Sequence, residues 1–363
     1  MTAYGYIMYT NKRLIDDIHV TEHAEVQNPR ISVILPTLNR QELLPKAIDS
    51  ILSQTYPDFE LIVINDGSTD MTGKILNKYA QFDKRIKIIT HQKNKGFAAS
   101  VNEGIDHAQG EYIARLDDDD KSLPQRLEKQ LQYMDEHPDV AIVGTLITDD
   151  DTLQSADFIN ETNAAKMKIQ QYCGLVPVAQ PSILIRKSFL DEFNIRWNGT
   201  YNPAEDLKLY SEVYDNGGKI SMIPEVLVWY RVHHTNSDDY YARQKSNTQK
   251  IIKEMLSKLN YNGEVEDFCH CMDIVSTHNQ DQILDDAAIA EIKAEKCRNY
   301  IEIKIETDKY QGTANRNLKY ISANQLIADI LEADGKKLKI KWRDDGLIED
   351  LYLDTDLIWK KAE

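Results

Sequence analysis

Cysteine is scarce in this chain. Four stand among 363 residues, Cys173, Cys269, Cys271 and Cys297. They are too few and too irregularly spaced for a disulfide framework. Cys269 and Cys271 flank His270, but no second Cys or His pair lies at zinc-finger spacing. The triplet therefore reads as packing in or near a helix. Positive charge is also in deficit: 43 Lys and Arg stand against 59 Asp and Glu, a net charge of −16. Phosphate backbones would be repelled, which argues against nonspecific nucleic-acid binding. No run of about 18 uncharged apolar residues occurs, so no transmembrane helix is read. The opening "MTAYGYIMYTNKRLIDD" lacks the pattern of a signal peptide, and the expected compartment is the cytoplasm. GxxxxGK[ST] and GxGxxG are missing too, which counts against a P-loop NTPase and a dinucleotide-binding Rossmann site.

What is present is globular in composition, 42% hydrophobic and 28% charged, a length for one large or two ordinary domains. The first half alternates. Strand-like runs at 31–37 (ISVILPT), 59–66, 85–90, 111–117 and 140–145 are separated by helical patterns at 43–52, 70–80, 96–108 and from about Pro124. This rhythm predicts an α/β fold with a mostly parallel sheet. Ligands of such sheets bind at the carboxyl ends of the strands.

Four polar or glycine-bearing loops fall at those ends: "PTLNR" (36–40), "NDGSTD" (65–70), "NKGFAASVNEG" (94–104) and "DDDD" (117–120). Each alone has an ordinary reading. Ser68 or Asp70 would cap a helix, and a carboxylate run would be a solvated loop. Together they mark one edge as an active site. Four adjacent carboxylates repel one another and require a positive object. In an extended segment Asp117 and Asp119 would share one face, with Asp118 and Asp120 on the other. Two such carboxylates suit Mg²⁺ or Mn²⁺, and phosphates commonly supply the further oxygens. The object expected there is a metal carrying a diphosphate.

In that order the motifs resemble the family 2 inverting glycosyltransferases of the GT-A fold. The resemblance runs from about residue 31 to 240 and includes "NPAEDLKLY" (202–210) and "LVWYRVHHTNS" (227–237). The chain is most similar to bacterial enzymes that extend lipopolysaccharide, lipooligosaccharide or capsule chains. Its spacing resembles β-1,3-N-acetylglucosaminyl transferases of lipooligosaccharide assembly. The implied fold is a Rossmann-like, mostly parallel sheet flanked by helices, with a mainly helical C-terminal extension. The implied reaction moves a hexose or N-acetylhexosamine from a UDP-sugar, with Mn²⁺ or Mg²⁺, to a saccharide or lipid-linked saccharide acceptor.

Carried over residue by residue, the resemblance implies that Pro36, Thr37, Asn39 and Arg40 lie along the nucleotide. Leu38 stands where many relatives stack an aromatic ring on uracil, which weakens the nucleotide assignment. Asp66 would hydrogen-bond uracil or ribose, and Asn94 and Gly96 would border the donor. Asp117 and Asp119 match the DxD acids, Asp119 nearest the metal, with Arg115 and Asp118 beside them. Asp206 matches the catalytic base and Glu205 its neighbour. His233 matches a His that reaches metal or diphosphate, whereas His234 is out of register. Single displacement at C1 needs a carboxylate to take the acceptor proton and a cation to stabilise the leaving UDP.

Other readings stay open. Glu205 and Asp206 could be acids favoring a helix N-terminus. The chain could be a non-catalytic scaffold that kept the fold. A nucleotidyltransferase would need a basic, glycine-rich loop near the first strand, and "PTLNRQE" is not one. Residues 1–30 form an N-terminal extension, 31–240 the catalytic domain, and 241–363 a mainly helical region with a terminal hairpin at 336–354. Residues 241–260 form a locally basic amphipathic helix. Packing on the catalytic domain is preferred over contact with the inner face of the membrane. A second copy of the chain is a further open partner.

Overall fold

The computed structural model describes residue 18, residues 22–149, 167–168, 171, 174–232 and 237–258, and the backbone of 301–307, 310–316, 337–344 and 347–361. The chain divides into two compact units. One comprises residues 1–164 with 176–247, the other 165–175 with 248–363.

The first unit is built on β1 (Ile31–Thr37), β2 (Phe59–Asn65), β3 (Ile86–Thr90), β4 (Tyr112–Arg115), β5 (Lys121–Ser122), β6 (Val140–Thr148), β7 (Leu184–Arg186) and β8 (Lys219–Trp229). Its helices are α1 (Leu44–Leu52), α2 (Thr72–Phe82), α3 (Phe97–His107), α4 (Arg126–Glu136), α5 (Lys187–Glu192) and α6 (Glu205–Asp215). The start of α7 (Asp238–Lys258) also belongs to it. The sheet order is β3-β2-β1-β4-β7-β6-β8-β5. β3, β2, β1 and β4 pair in parallel, β7 runs antiparallel between β4 and β6, β6 and β8 are parallel, and β5 closes the edge antiparallel. Every residue of β1 and β2 is buried. Strands buried along their whole length fit a sheet covered on both faces. Ile48 and Ile51 of α1, Ile75 and Leu76 of α2, and Val101 and Ile105 of α3 are all buried at helical spacing. The sheet is mostly parallel, curled and flanked by helices, as expected of the GT-A class.

The parallel strands bring the loops after β1, β2, β3 and β4 to one edge. The helical pattern at 204–214 appears as α6, with Leu207, Tyr210 and Val213 buried.

The second unit contains an antiparallel sheet in the order β10-β9-β11-β12. Its strands are β9 (Ile301–Thr307), β10 (Tyr310–Arg316), β11 (Lys337–Asp344) and β12 (Leu347–Lys361). The expectation of a mainly helical region is therefore corrected at residues 301–316. Ile301, Ile303 and Ile305 alternate with polar residues, a period of two that suits a half-covered strand. β11 and β12 pair antiparallel where a terminal hairpin is expected. The Cys269–Cys271 triplet lies outside the described residues.

Candidate active site

The loop after β1 is joined to the loop after β2 by side chains. Asn39, at φ 53°, donates its backbone N–H to Ser68 Oγ (2.9 Å) and accepts from Thr69 N–H at Oδ1 (2.8 Å). Arg40 donates its N–H to Thr72 Oγ1 (3.0 Å). Ser68 is thus used by Asn39, and Asp70 accepts from Thr72 N–H at the start of α2 (2.9 Å).

The loops after β2 and β3 are joined more tightly. Gly67 has φ 81°, and a Cβ there would lie 2.8 Å from the backbone N of Asn94. Only glycine permits this approach. Asp66 accepts Lys95 N–H at 2.8 Å and Gly96 N–H at 2.9 Å. His91 Nδ1 lies 2.6 Å from the same carboxylate, and its Nε2 lies 2.9 Å from Glu103 on α3. Burial pushes the Asp66 carboxyl up, but the bonds from His91, Lys95 and Gly96 outweigh it and hold the group below its ordinary range. Asp66 therefore ties the loops after β2 and β3 together and also lines the cleft. His91 lies outside the sequence motifs, and Glu103, within the 94–104 stretch, is not singled out there. The signal available was a histidine just after a strand that ends at the loop-bearing edge of the sheet.

The acidic residues do not alternate. They form a turn, with Asp120 N–H donating to the Asp117 carbonyl at 3.3 Å. Each carboxylate meets a guanidinium or a backbone N–H. Arg115, fully buried beneath the turn, donates to Asp117 Oδ1 at 2.5 Å and to the carbonyls of Ile34 and Leu116. Arg40 Nε lies 3.3 Å from Asp118, and its terminal nitrogen 3.6 Å from Asp119. Asp120 turns inward, 1% exposed, and accepts Arg231 N–H at 2.8 Å. The expected alternation, with Asp118 on the face opposite Asp117 and Asp119, is thus overturned, because a tight turn replaces extended backbone and all three line one cleft. Asp118 and Asp119 share Arg40 instead. Burial, against the opposing effects of Thr37 and Arg40, raises the Asp118 carboxyl to about 6. The Thr37 hydroxyl lies against Asp118 without a well-aligned hydrogen bond.

These loops enclose a cleft of about 440 Å³, within the size range of small-ligand sites. Pro36, Thr37, Leu38, Arg40, Asp66, Asn94, Gly96 and Asp117 to Asp119 line it. Phe97, Ser100 and Tyr230, which the motifs do not single out, line it as well. Asn39 and Arg115 stand outside the lining. Asn39 ties the loops, while Arg115 braces Asp117 and lies 4.9 Å from the Phe97 ring centroid. Below them Arg126 is fully buried, donating to the Arg115 and Ile183 carbonyls. Burial and the charge of Arg115 lower it to about 9.

Glu205 and Asp206 open α6. Burial is the first cause raising both carboxyls, Glu205 to about 7, with Asp117 adding to each. Glu205 Oε2 is buried without a hydrogen-bond partner, while Asp206 Oδ1 accepts Leu207 N–H at 2.7 Å. His233 and His234 lie outside the described residues.

Among the described residues, no group of three or more His, Cys, Asp or Glu side chains is arranged to hold a metal ion. The hard carboxylate oxygens of Asp118 and Asp119, already facing a guanidinium, fit a divalent cation that takes its remaining oxygens from a diphosphate. Among the described residues, no helix is long and apolar enough to cross a membrane.

A family model described as glycosyl transferase family 2 matches residues 32–223, more than half of the chain. An uncharacterized glycosyltransferase of Haemophilus influenzae is 32% identical over 243 residues, 62% of this chain and 72% of its own. The putative teichuronic acid biosynthesis glycosyltransferase TuaG of Bacillus subtilis is 41% identical over 106 residues, 29% of this chain and 42% of its own. Two solved structures share the fold. The 1–349 fragment of S. aureus TarS in complex with UDP-GlcNAc matches with TM-score 0.53 at 21% identity, over 66% of this chain and 70% of that one. The mannosyltransferase PcManGT of Pyrobaculum calidifontis, in complex with GDP-Man and Mn²⁺, matches with TM-score 0.50 at 18% identity, over 80% and 86%. With the GT-A-like sheet and the loops at its edge, the match over residues 32–223 establishes that the chain belongs to glycosyl transferase family 2 and is a glycosyltransferase.

Proposed function

We propose that the enzyme transfers a hexose or N-acetylhexosamine from a UDP-sugar, with inversion, to a saccharide acceptor of a bacterial surface polysaccharide. A divalent cation, Mn²⁺ or Mg²⁺, assists. The observation that carries the reading is the acidic turn facing a cleft whose other walls are the 36–40 and 94–97 loops. TarS binds UDP-GlcNAc on the same fold, PcManGT binds Mn²⁺ with its donor, and TuaG is named for teichuronic acid biosynthesis.

In this reading Pro36, Thr37, Leu38, Asp66, Asn94 and Gly96 hold the nucleoside, and Arg40 faces the diphosphate. Asp119 and Asp118, with His233 from beyond the described residues, would hold the cation. When bound, it supplies Lewis-acid stabilisation of the leaving diphosphate. Asp206 takes the proton of the acceptor hydroxyl as that oxygen bonds to C1. The bond from C1 to the β-phosphate oxygen breaks, and its electron pair leaves on UDP. Glu205 is a second candidate for the base, favored by its unpartnered oxygen and a carboxyl raised to about 7.

The test is a donor screen with UDP-glucose, UDP-galactose, UDP-GlcNAc, UDP-GalNAc and GDP-mannose, each with Mn²⁺, reading nucleotide release. Release from a UDP-sugar and not from GDP-mannose is expected. Use of GDP-mannose alone would overturn the donor class.

A further inference from the structure

The first turn of α7 carries two adjacent tyrosines that the donor cleft does not use. Tyr241 is 52% exposed. Its ring meets that of Tyr240 edge-on, with centroids 5.7 Å apart and planes at 88°. Ser237 anchors the pair: its hydroxyl accepts Tyr240 N–H at 3.2 Å, and its carbonyl accepts Tyr241 N–H at 3.2 Å.

Helix geometry sets where this pair faces. Asn247 donates from Nδ2 to the Asn202 carbonyl at 3.0 Å. Asn202 in turn donates to Glu205 Oε1 at 3.4 Å. Tyr240 lies seven residues before Asn247, two turns along the helix and on the same face, about 10 Å away along the axis. The face that meets the loop before Glu205 therefore also presents Tyr240. Burial first, then the charges of Glu205 and Asp206, raise the Tyr240 phenol, which agrees with that placement. Tyr240 is also among the groups that raise Tyr230, a residue of the cleft wall. The charge of Asp117 in the cleft wall thus acts on the acid pair, and the acid pair in turn acts on Tyr240.

We propose that Tyr240 and Tyr241 form the acceptor subsite, stacking a pyranose ring so that one of its hydroxyls reaches the Glu205–Asp206 pair. This rests on the transferase reading above. One face of a pyranose presents C–H groups, which suits the electron-rich face of an aromatic ring. The exposed aromatic area is small, and Asp238, Asp239, Arg243 and Lys245 around it are exposed and charged. A lipid surface or a protein partner would call for a larger apolar patch. A small ligand with hydroxyls on its rim and C–H groups on its face matches both features. Holding the rings on a helix leaves little ordering cost at binding.

The experiment is saturation-transfer NMR on the full chain with UDP and Mn²⁺. The probes are the methyl β-glycosides of glucose, galactose and N-acetylglucosamine. At least one probe is expected to receive saturation on the protons of one ring face. Tyr241→Ala, at an exposed position, should weaken that binding about tenfold, and Tyr240→Phe, which keeps the ring, should largely preserve it. UDP affinity, measured by calorimetry on the same variants, should hold. Equal glycoside binding by Tyr241→Ala, or no saturation of any probe in native protein that binds UDP, overturns the subsite. A native protein that does not bind UDP overturns the underlying transferase reading instead.

Discussion

Arg40 places its guanidinium between Asp118 and Asp119, 3.3 Å from one carboxylate and 3.6 Å from the other. The acidic turn therefore carries a counter-cation of its own. A divalent ion entering the turn competes with that guanidinium, and a diphosphate gives the displaced guanidinium a new anion to face. Arg40→Gln is expected to bind Mn²⁺ without nucleotide about tenfold more tightly than the native protein, and UDP more weakly. Metal titration followed by paramagnetic resonance measures the first effect and calorimetry the second. Weaker metal binding by the variant would show that Arg40 does not compete.

Asp66 joins three donors into one loop assembly. Asp66→Asn puts an amide N–H₂ against backbone N–H groups or His91 and leaves a buried donor unmatched. A loss of roughly 1–3 kcal/mol in stability is expected, with weaker UDP binding. Denaturant unfolding and calorimetry on the same variant check both. Unchanged stability would mean the loops are held by other contacts.

The Glu205 carboxyl, raised by burial to about 7 from 4.5, sets a sign for pH effects. The folded chain holds this proton more tightly than the unfolded chain. Its contribution to stability is full below about 4.5 and is lost as pH rises through about 7. Glu205→Gln should flatten that part of the stability curve. If the acid pair must be ionised to accept a proton, turnover should rise with pH through an acid limb near 7. That limb should move to lower pH in Glu205→Gln. A limb unmoved by the substitution would assign the titration elsewhere.

Asp206→Asn separates base from helix acid. As base, its loss should cut turnover roughly 100-fold or more with UDP affinity retained. As a helix-terminus acid alone, it would cost a few tenths to about 1 kcal/mol of stability and leave turnover intact. Steady-state kinetics and melting temperature on the one variant decide between them.

The site was legible in the sequence to the extent that chain order implies spatial order. Parallel strands deliver their C-terminal loops to one edge, so chain order alone groups 36–40, 65–70, 94–104 and 117–120. What they do to one another was not legible. Alternation along an extended strand would put Asp117 and Asp119 on one face, but the chain reverses with Asp120 N–H on the Asp117 carbonyl, and Asp120 takes its partner, the Arg231 N–H, from 111 residues further on. His91 gave no motif, because its role depends on Asp66 and Glu103 arriving from two other elements. The 301–316 hairpin was hidden by a longer stretch of helix-like composition, although Ile301, Ile303 and Ile305 alternate plainly.

The most direct test of the central claim is a calorimetric titration of UDP into the native protein with and without Mn²⁺, repeated on Asp119→Ala. A metal-assisted UDP site at the acidic turn predicts tighter UDP binding with Mn²⁺ in the native protein and no such difference in the variant. Equal UDP affinity in the native protein with and without the metal would contradict it.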